Sequence, residues 1–508
     1  MNLVRPRRTA PAAARGAGTD SLVTLRSRPG VALIAGTVLA SMVAFLDASV
    51  VNVAVPAIGR SLGAGVAGVQ WVVAAYLLTA AALLLPAGAV IDHFGRRRVL
   101  VAGLLVMLVA SVLCAVAPTT GTLIGARLVQ GAGAALVVPS SLALLNGTLR
   151  VAERARGIGV WAGLATIGMT LGPYAGGWLV DVTSWRYLFL LNVPLVLGAL
   201  AVLRHVPDVH SDRRPLSLDV AGAVLSVAGL GGAIYALMAG PAAGWLSVRV
   251  LLPGVVGVLC LVALVPVERR QESPMLRLSL FASRQFDAIN VTTLLLYGAL
   301  AAGGYLLVLQ VQLQLGYSAT AAGAILIPES VVFLLVSPVV GGLVGRFGPR
   351  RLMVVGILFM AGAFFALSAV EAGDGYVAAV LPGALLWGLG LGLTVAPLTA
   401  GVLAAVSDED LGEASAVNDA ASRVGALLLV ALVPVLVGVG SGELGPALAD
   451  GYRPAMLVMC GLTLAAAAVT AVFVSDRPAP LPPMPVPPRV HSCALPVDGP
   501  TLTGTARP

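Results

Sequence analysis

The chain has 508 residues, of which 58% are hydrophobic and only 11% charged, and its mean hydropathy is +0.97. Soluble domains carry about 25% charged residues, so this balance excludes a water-soluble globule and describes an integral membrane protein. The formal net charge of +8 does not point to nucleic acid, because the basic residues are all arginines scattered through short loops between apolar runs, with no single patch.

A spanning helix needs about 20 mostly apolar residues. The first 30 residues are a basic stretch with Arg5, Arg7, Arg8, Arg15, Arg26 and Arg28. The apolar run after it is too long for a signal peptide and carries Asp47, so the stretch reads as a cytoplasmic tail entering the first span. Predicted spans then follow at 31–54, 70–91, 99–117, 121–145, 157–180 and 186–203. Two more lie at 219–238 and 250–267, and six at 288–312, 320–344, 351–370, 376–405, 423–440 and 454–474. The last segment, from 476 to 508, is rich in proline and reads as a polyproline-like cytoplasmic tail.

Arginine placement gives the expected orientation. With alternating spans, Arg60, Arg186, Arg249 and Arg453 fall on one side and Arg127 inside the membrane. All the others share the opposite side with both termini. Positive residues stay inside, so both termini are expected in the cytoplasm. An internal repeat sets the domain plan. The run Gly88-Ala-Val-Ile-Asp92-His-Phe94-Gly95-Arg96-Arg97-Arg98 aligns with Gly341 to Arg351 at a constant offset of 253 residues. Each copy joins the second and third helices of a six-helix block. The reading is therefore an all-α integral membrane fold of fourteen transmembrane helices: one six-helix bundle over 31–205, two linking helices within 206–285 and a second bundle over 286–475.

Three charges stand alone in lipid-length apolar runs: Asp47, Arg127 and Glu329. Burying a charge at the centre of a spanning helix costs roughly 2.5–3.5 kcal/mol on insertion scales, so such residues face protein or a water-filled path. Three of them suggest a transport path. A desolvated carboxylate holds a proton more readily than one in water. An arginine stays charged, and its natural job is to tune a neighbouring carboxylate. Asp47 is the expected partner of Arg127. For each charge the alternative is a structural hydrogen bond or ion pair. Glu329, just after Pro328, has a third alternative, a place at a helix end near water.

Several motifs together resemble the major facilitator superfamily, and more narrowly its fourteen-helix drug:proton antiporter branch of EmrB/QacA type. They are Leu46-Asp47 to Pro56 in the first helix, Gly88 to Arg98 in the loop after the second, and Arg127-Leu-Val-Gln130-Gly131-Ala-Gly133 in the fourth. Gly163 to Gly177 in the fifth and Ser184-Trp185-Arg186 to Pro194 at the sixth complete the set. The resemblance covers roughly residues 31–475. It implies two bundles that rock about a central site. It also implies proton coupling at Asp47, Arg127 and Glu329, and a conformational latch at Gly88, Asp92, Gly95, Arg96 and Arg97. His93 departs from the family's usual Arg or Lys there. Gly168, Gly172, Pro173, Gly176 and Gly177 match the motif that marks the family's exporters. Gly88 and Gly95 are expected to allow close approach and a sharp turn, the four-residue glycine spacing to let helices touch, and Trp185 and Tyr187 to sit at the membrane interface. Asn52, Gln130 and Glu329 are expected to line the substrate cavity.

Nothing in the chain reads as an enzyme. There is no phosphate-binding loop for ATP, and His93, His205, His210 and His491 lack metal-ligand spacing, so no metal or other cofactor is expected. Cys114, Cys260, Cys460 and Cys493 read as small apolar packing residues. The expected partners are protons, the lipid bilayer and a small hydrophobic substrate, with no nucleic acid. The expected function is proton-coupled export of hydrophobic, cationic compounds across the cytoplasmic membrane. A dedicated exporter of one metabolite or antibiotic and a non-transporting sensor of the same fold stay open.

Overall fold

The computed structural model describes residues 23–206, 219–271, 278–406, 411–436, 438 and 444–476. The basic stretch before Val23 and the proline-rich one from Arg477, with Cys493, lie outside the described residues. The first half runs α1 (Arg28–Leu62), α2 (Val66–Ala82), α3 (Leu84–Phe94), α4 (Arg96–Ala115) and α5 (Thr120–Thr148). It continues with α6 (Val151–Val182), α7 (Arg186–Leu190) and α8 (Asn192–Leu203). Two helices follow, α9 (Val220–Ala243) and α10 (Val248–Arg270). The second half is α11 (Arg284–Leu313), α12 (Ala319–Ala324), α13 (Ile327–Phe347), α14 (Pro349–Leu367), α15 (Leu381–Leu403), α16 (Leu411–Leu436) and α17 (Leu444–Phe473). Among the described residues the one non-helical pairing is a parallel bridge between Val23 and Leu149.

Among the described residues, twelve helical segments are long and apolar enough to cross a bilayer. The other two predicted spans fall on α2 with α3 and on the 32-residue α6, which are not among those twelve. Three spans are broken in two, and each break has the same cause. Proline has no N–H, so the carbonyl four residues before it loses its helical partner. Pro86, Pro194 and Pro328 strand the carbonyls of Ala82, Leu190 and Ala324, the last residues of α2, α7 and α12. Pro139 and Pro173 sit inside continuous helices, so surrounding packing decides which prolines part a helix. One predicted boundary is corrected outright. The span expected from 423 begins at Leu411, because its polar first turns are matched by partners. Asn418 Nδ2 donates to Asn290 Oδ1 at 3.1 Å and to Thr293 Oγ1 at 2.8 Å, both on α11. Arg423 is thus inside a helix and not at a loop edge.

The repeat is visible in the backbone. Gly95, between α3 and α4, has φ +93, and Gly348, between α13 and α14, has φ +79. Each N–H closes the preceding helix, on Ile91 and Val344 respectively. Only glycine adopts this region without strain. Gly88 differs from expectation: a Cβ built there meets nothing within 4 Å, so it makes no close approach.

Glycines on α6 decide how α1 sits. A Cβ at Gly168 would stand 2.5 Å from Met42 Cγ, one at Gly172 3.0 Å from Ser49 Oγ, and one at Gly176 2.2 Å from Val50 Cγ2. The stripe therefore seats α6 on the part of α1 that carries Asp47. The neighbouring position faces the other half of the molecule: a Cβ at Gly177 would lie 2.1 Å from the Ala319 carbonyl oxygen. Reciprocally, one at Gly323 would lie 2.1 Å from the Pro173 carbonyl oxygen. Here α6 and α12 touch backbone to backbone.

Polar contacts seal the same face. Asp181, at the end of α6, accepts from the N–H groups of Ala319 (3.1 Å) and Thr320 (2.8 Å) and from Thr320 Oγ1 (2.6 Å). Its carboxylate sits on the N-terminus of α12, where helix dipole and free N–H groups favour an anion. Nearby, Gln312 Nε2 of α11 donates to the Val53 carbonyl of α1 at 3.1 Å. The two bundles are therefore joined at the face carrying the C-terminal ends of α1, α6 and α11. Along their sides α9 bridges them, with Ile234 and Met238 packed among Ala74 and Leu78 of α2 and Leu427 and Ala431 of α16.

Gly176→Val is expected to destabilise the protein by about 1–3 kcal/mol through overpacking against α1. Gly163→Val, on the same helix but facing open space, should leave thermal unfolding in detergent nearly unchanged. Equal melting of the two variants would remove the special role of the stripe.

Candidate functional site: a buried charge cluster in the first bundle

Midway along α1, Asp47 is completely buried, and on α5 Arg127 is 1% exposed. The two side chains form an ion pair through Arg127 Nη1 and Asp47 Oδ2. Arg127 lies 80 residues on in sequence, and α5 carries it to this point because its neighbours there are small. A Cβ at Gly131 would stand 2.2 Å from the Tyr76 carbonyl oxygen, and one at Gly133 2.7 Å from Met107 Cγ, so α5 approaches both α2 and α4 closely. The guanidinium has further company. Its Nε donates to the Val72 carbonyl at 3.1 Å, Nη1 to Gln130 Oε1 at 2.9 Å, and the Tyr76 ring lies 4.4 Å from its central carbon.

Asp47 is held from its other side. Gln130 Nε2 and Asn192 Nδ2 each donate to Asp47 Oδ1 at 2.8 Å. Both amides also donate to Ser111 Oγ on α4, at 2.9 and 3.2 Å. The Cys114 thiol donates to Gln130 Oε1 at 3.4 Å. Donors from α5 and α8 thus converge on the carboxylate of α1, and acceptors on α2 and α4 hold those donors in place. Burying the pair without these partners would cost several kcal/mol per charge.

The structure thus brings together Asp47, Arg127 and Gln130, as pairing of the lone charges predicts, and adds residues not singled out for this place. Ser111, Tyr76 and Asn192 were indistinguishable from ordinary helix residues in sequence, although Asn192 sits in the run ending at Pro194. Cys114 was read as packing and is instead a hydrogen-bonding member. Asn52 lies further along α1, half-buried, and its Oδ1 is enclosed with no partner among the described residues.

Glu329 is in the other bundle. It occupies the first turn of α13, past the Pro328 break, and accepts from Ser330 Oγ at 3.1 Å. Its backbone packs against Gly388 of α15. A second charged pair also comes from that bundle. On α16, Arg423 Nε donates to Asp419 Oδ2 at 3.0 Å, one turn apart, with the Arg423 side chain 20% exposed. One turn further on, Leu427 of the same helix packs beside Ala74 and Leu78 of α2, so this part of α16 borders the first bundle.

The expected latch residues are at the α3–α4 corner. Gly95 makes the turn. Arg96 lies against Gly147 of α5, where a Cβ would collide with its Nη1, and Arg97 Nη2 donates to the Arg204 carbonyl at the end of α8 at 3.4 Å. The side chain of Asp92 lies outside the described part of the structure. Trp185 corrects another expectation. It is 3% exposed, stacked under Arg186 at 4.3 Å and edge-on to Phe189 at 6.2 Å, so it is a core residue and not an interface anchor. Tyr187 is exposed.

The sequence matches the family description Major Facilitator Superfamily over residues 37–430 and again over 289–492. It is 35% identical to the Multidrug resistance protein Stp of Mycobacterium tuberculosis (strain CDC 1551 / Oshkosh), over 79% of this chain and 75% of that protein. It is 34% identical to the Methylenomycin A resistance protein of Bacillus subtilis (strain 168), over 82% and 90%. With the Tetracenomycin C resistance and export protein of Streptomyces glaucescens it shares 32% identity over 89% and 84%. Its fold is similar to the crystal structure of a D-xylose-proton symporter, with a TM-score of 0.63 at 16% identity, over 88% of this chain and 98% of that one.

Breaking a buried pair by removing one partner costs about 3–5 kcal/mol, because the other charge is left uncompensated. Asp47→Leu and Arg127→Met are each expected to lower the unfolding temperature strongly, and the double variant by less than the sum. Additive losses in a double-mutant cycle would mean that the two charges do not depend on each other.

Proposed function

The chain belongs to the Major Facilitator Superfamily and is a multi-pass membrane transporter, not an enzyme; from that premise we propose that it is an antiporter exporting hydrophobic, cationic compounds in exchange for protons. The observation that carries the reading is the buried nest around Asp47, a carboxyl group in a membrane-spanning helix that accepts from an arginine and two amides. Both termini are taken as cytoplasmic, from the arginine distribution, which makes the face sealed by Asp181 and α12 external. The described conformation is then closed to the outside.

In this mechanism a substrate taken from the cytoplasm while Asp47 is ionised brings the molecule to the state open outside, where a proton neutralises Asp47 and the substrate leaves. Arg127 is then a lone buried cation, and an unpaired charge in that place costs several kcal/mol. The molecule escapes that cost by rearranging. The contacts give the rearrangement a path: α1 is seated on the glycine stripe of α6, and α6 meets α12 at Gly177 and Asp181. The protonated molecule closes again at this outer seal, and release of the proton to the cytoplasm then restores the pair. A ligand or proton biases the two conformations only by its differential affinity for them, which here is the presence or absence of the Asp47 charge. Glu329, at the Pro328 break of the second bundle, is assigned to the cationic group of the substrate, with Asn52 contributing a polar contact; Gln130, expected in the cavity, is enclosed in the charge cluster instead. Two bundles moving about a midplane site fit this scheme.

A narrower reading has its own support. Some relatives are named for single antibiotics, methylenomycin A and tetracenomycin C, which favours a dedicated exporter of one compound. The two readings share the coupling site and differ only in breadth of substrate.

The test is uptake of ethidium by inside-out vesicles containing the protein, with and without a pH gradient and with no ATP added. Gradient-driven uptake that Asp47→Asn abolishes is the expected result; full uptake in that variant would overturn the coupling role. A panel of single antibiotics in the same vesicles separates the broad from the narrow reading. Glu329→Gln should reduce transport of cationic compounds several-fold more than that of neutral ones, and equal losses would remove the charge contact.

A further inference from the structure

The nest has one member whose bonding is incomplete. Asp47 Oδ1 accepts two amide N–H bonds and Oδ2 accepts from Arg127, so every neighbour is a donor. That set suits a carboxylate. A protonated carboxyl carries an O–H, which needs an acceptor. Arg127 has none to offer, and the Tyr76 hydroxyl is turned away to the Ala44 carbonyl at 2.9 Å. Gln130 is locked at both ends: its Oε1 takes Arg127 and Cys114, and its Nε2 serves Asp47 and Ser111. Turning that amide would set donor against donor at Arg127.

Asn192 is different. Its Nδ2 serves Asp47 and Ser111, while its Oδ1 is fully enclosed with no partner among the described residues. The last side-chain torsion of asparagine is broad and roughly two-fold. A half-turn places Oδ1 where Nδ2 was, facing both Asp47 and Ser111. There it accepts the new O–H of Asp47 and the hydroxyl hydrogen of Ser111, whose oxygen still accepts from Gln130. We propose that Asn192 is the positioning residue that fits the nest to both protonation states of Asp47, by turning its side-chain amide when the proton arrives. One O–H bond forms and one negative charge disappears. In exchange, the two Nδ2 hydrogens leave Asp47 and Ser111 for the enclosed place where Oδ1 had no partner.

The place of Asn192 follows from the chain. Pro194 breaks the sixth span after Leu190, and Asn192 is the first residue of α8, aimed inward at the break. The titratable and charged groups facing the site are Tyr76 from α2, Cys114 from α4 and Arg127 from α5. Where α6 meets α1 it presents glycines, and Arg186 of α7 is directed to the Ala117 carbonyl. The inference rests on Asp47 as the proton carrier.

The test is pH-difference infrared spectroscopy on the purified full-length protein in lipid nanodiscs, which requires no substrate. The carboxylic-acid band that Asp47→Asn removes identifies Asp47. In the unmutated protein with 13C-labelled asparagine side-chain carbonyls, a labelled band should shift with the same midpoint as the Asp47 band. In Asn192→Leu that labelled change should vanish while the Asp47 midpoint moves little, since the anion loses a donor and the acid loses an acceptor. A fixed asparagine that only donates to the anion would instead let the midpoint rise clearly when it is removed, and that result overturns the proposal. So does an asparagine band that stays still in the unmutated protein, an outcome available even where Asn192→Leu does not fold. If instead Asp47→Asn removes no band, the proton-carrier reading has failed, and the inference falls with it by a separately visible route.

Discussion

A carboxylate and a guanidinium buried together in a lipid-spanning bundle are the constraint around which this molecule is built. Neither charge is tolerable alone at that depth, and a bare pair gains too little from mutual attraction to offset the loss of water. The remaining lone pairs and protons must be met, and they are, by Gln130, Asn192, the Val72 carbonyl and the Tyr76 ring. Meeting them fixes the relative positions of α1, α2, α4, α5 and α8. In this sense the charge cluster organises the first bundle as much as apolar packing does, since lipid tails offer no hydrophobic drive between helices.

Small residues make this convergence possible. The stripe Gly168, Gly172 and Gly176 gives α1 its seat on α6, and Gly131 and Gly133 let α5 approach its neighbours. One position round the helix from the stripe, Gly177 meets α12 of the other bundle. A single helix therefore touches both the charge-bearing helix and the seal. Asp181 completes the seal by occupying the N-terminus of α12. Its carboxylate exchanges water for three donors, so the closed face is held by bonds that are costly to leave but individually small. Such an interface suits a surface that must open and close.

Much of this was legible beforehand for identifiable reasons. Hydropathy located the spans because the backbone in lipid must bond to itself. Isolated charges located Asp47 and Arg127 because hydrocarbon tolerates them only with partners. The repeat located Gly95 and Gly348 because only glycine takes their φ. Other features escaped the same reasoning. The start of α16 is polar, so hydropathy placed it twelve residues late and left Arg423 at an edge. Trp185 has the composition of an interface anchor, but its burial depends on Phe189 and Arg186 folding over it. Gly88 resembles its motif neighbours yet touches nothing.

By itself the sequence determined the solvent of this protein, the order of its apolar segments, its two-fold internal plan and the few residues too expensive to be accidental. Those properties follow from each residue's own transfer cost and backbone freedom, which need no knowledge of neighbours. Tertiary structure alone decided who meets whom. Asn192 reaches Asp47 across 145 residues and Thr320 reaches Asp181 across 139. Short-range polar contacts such as these depend on helix rotation and depth to within an ångström or two, and apolar patterning leaves both undetermined.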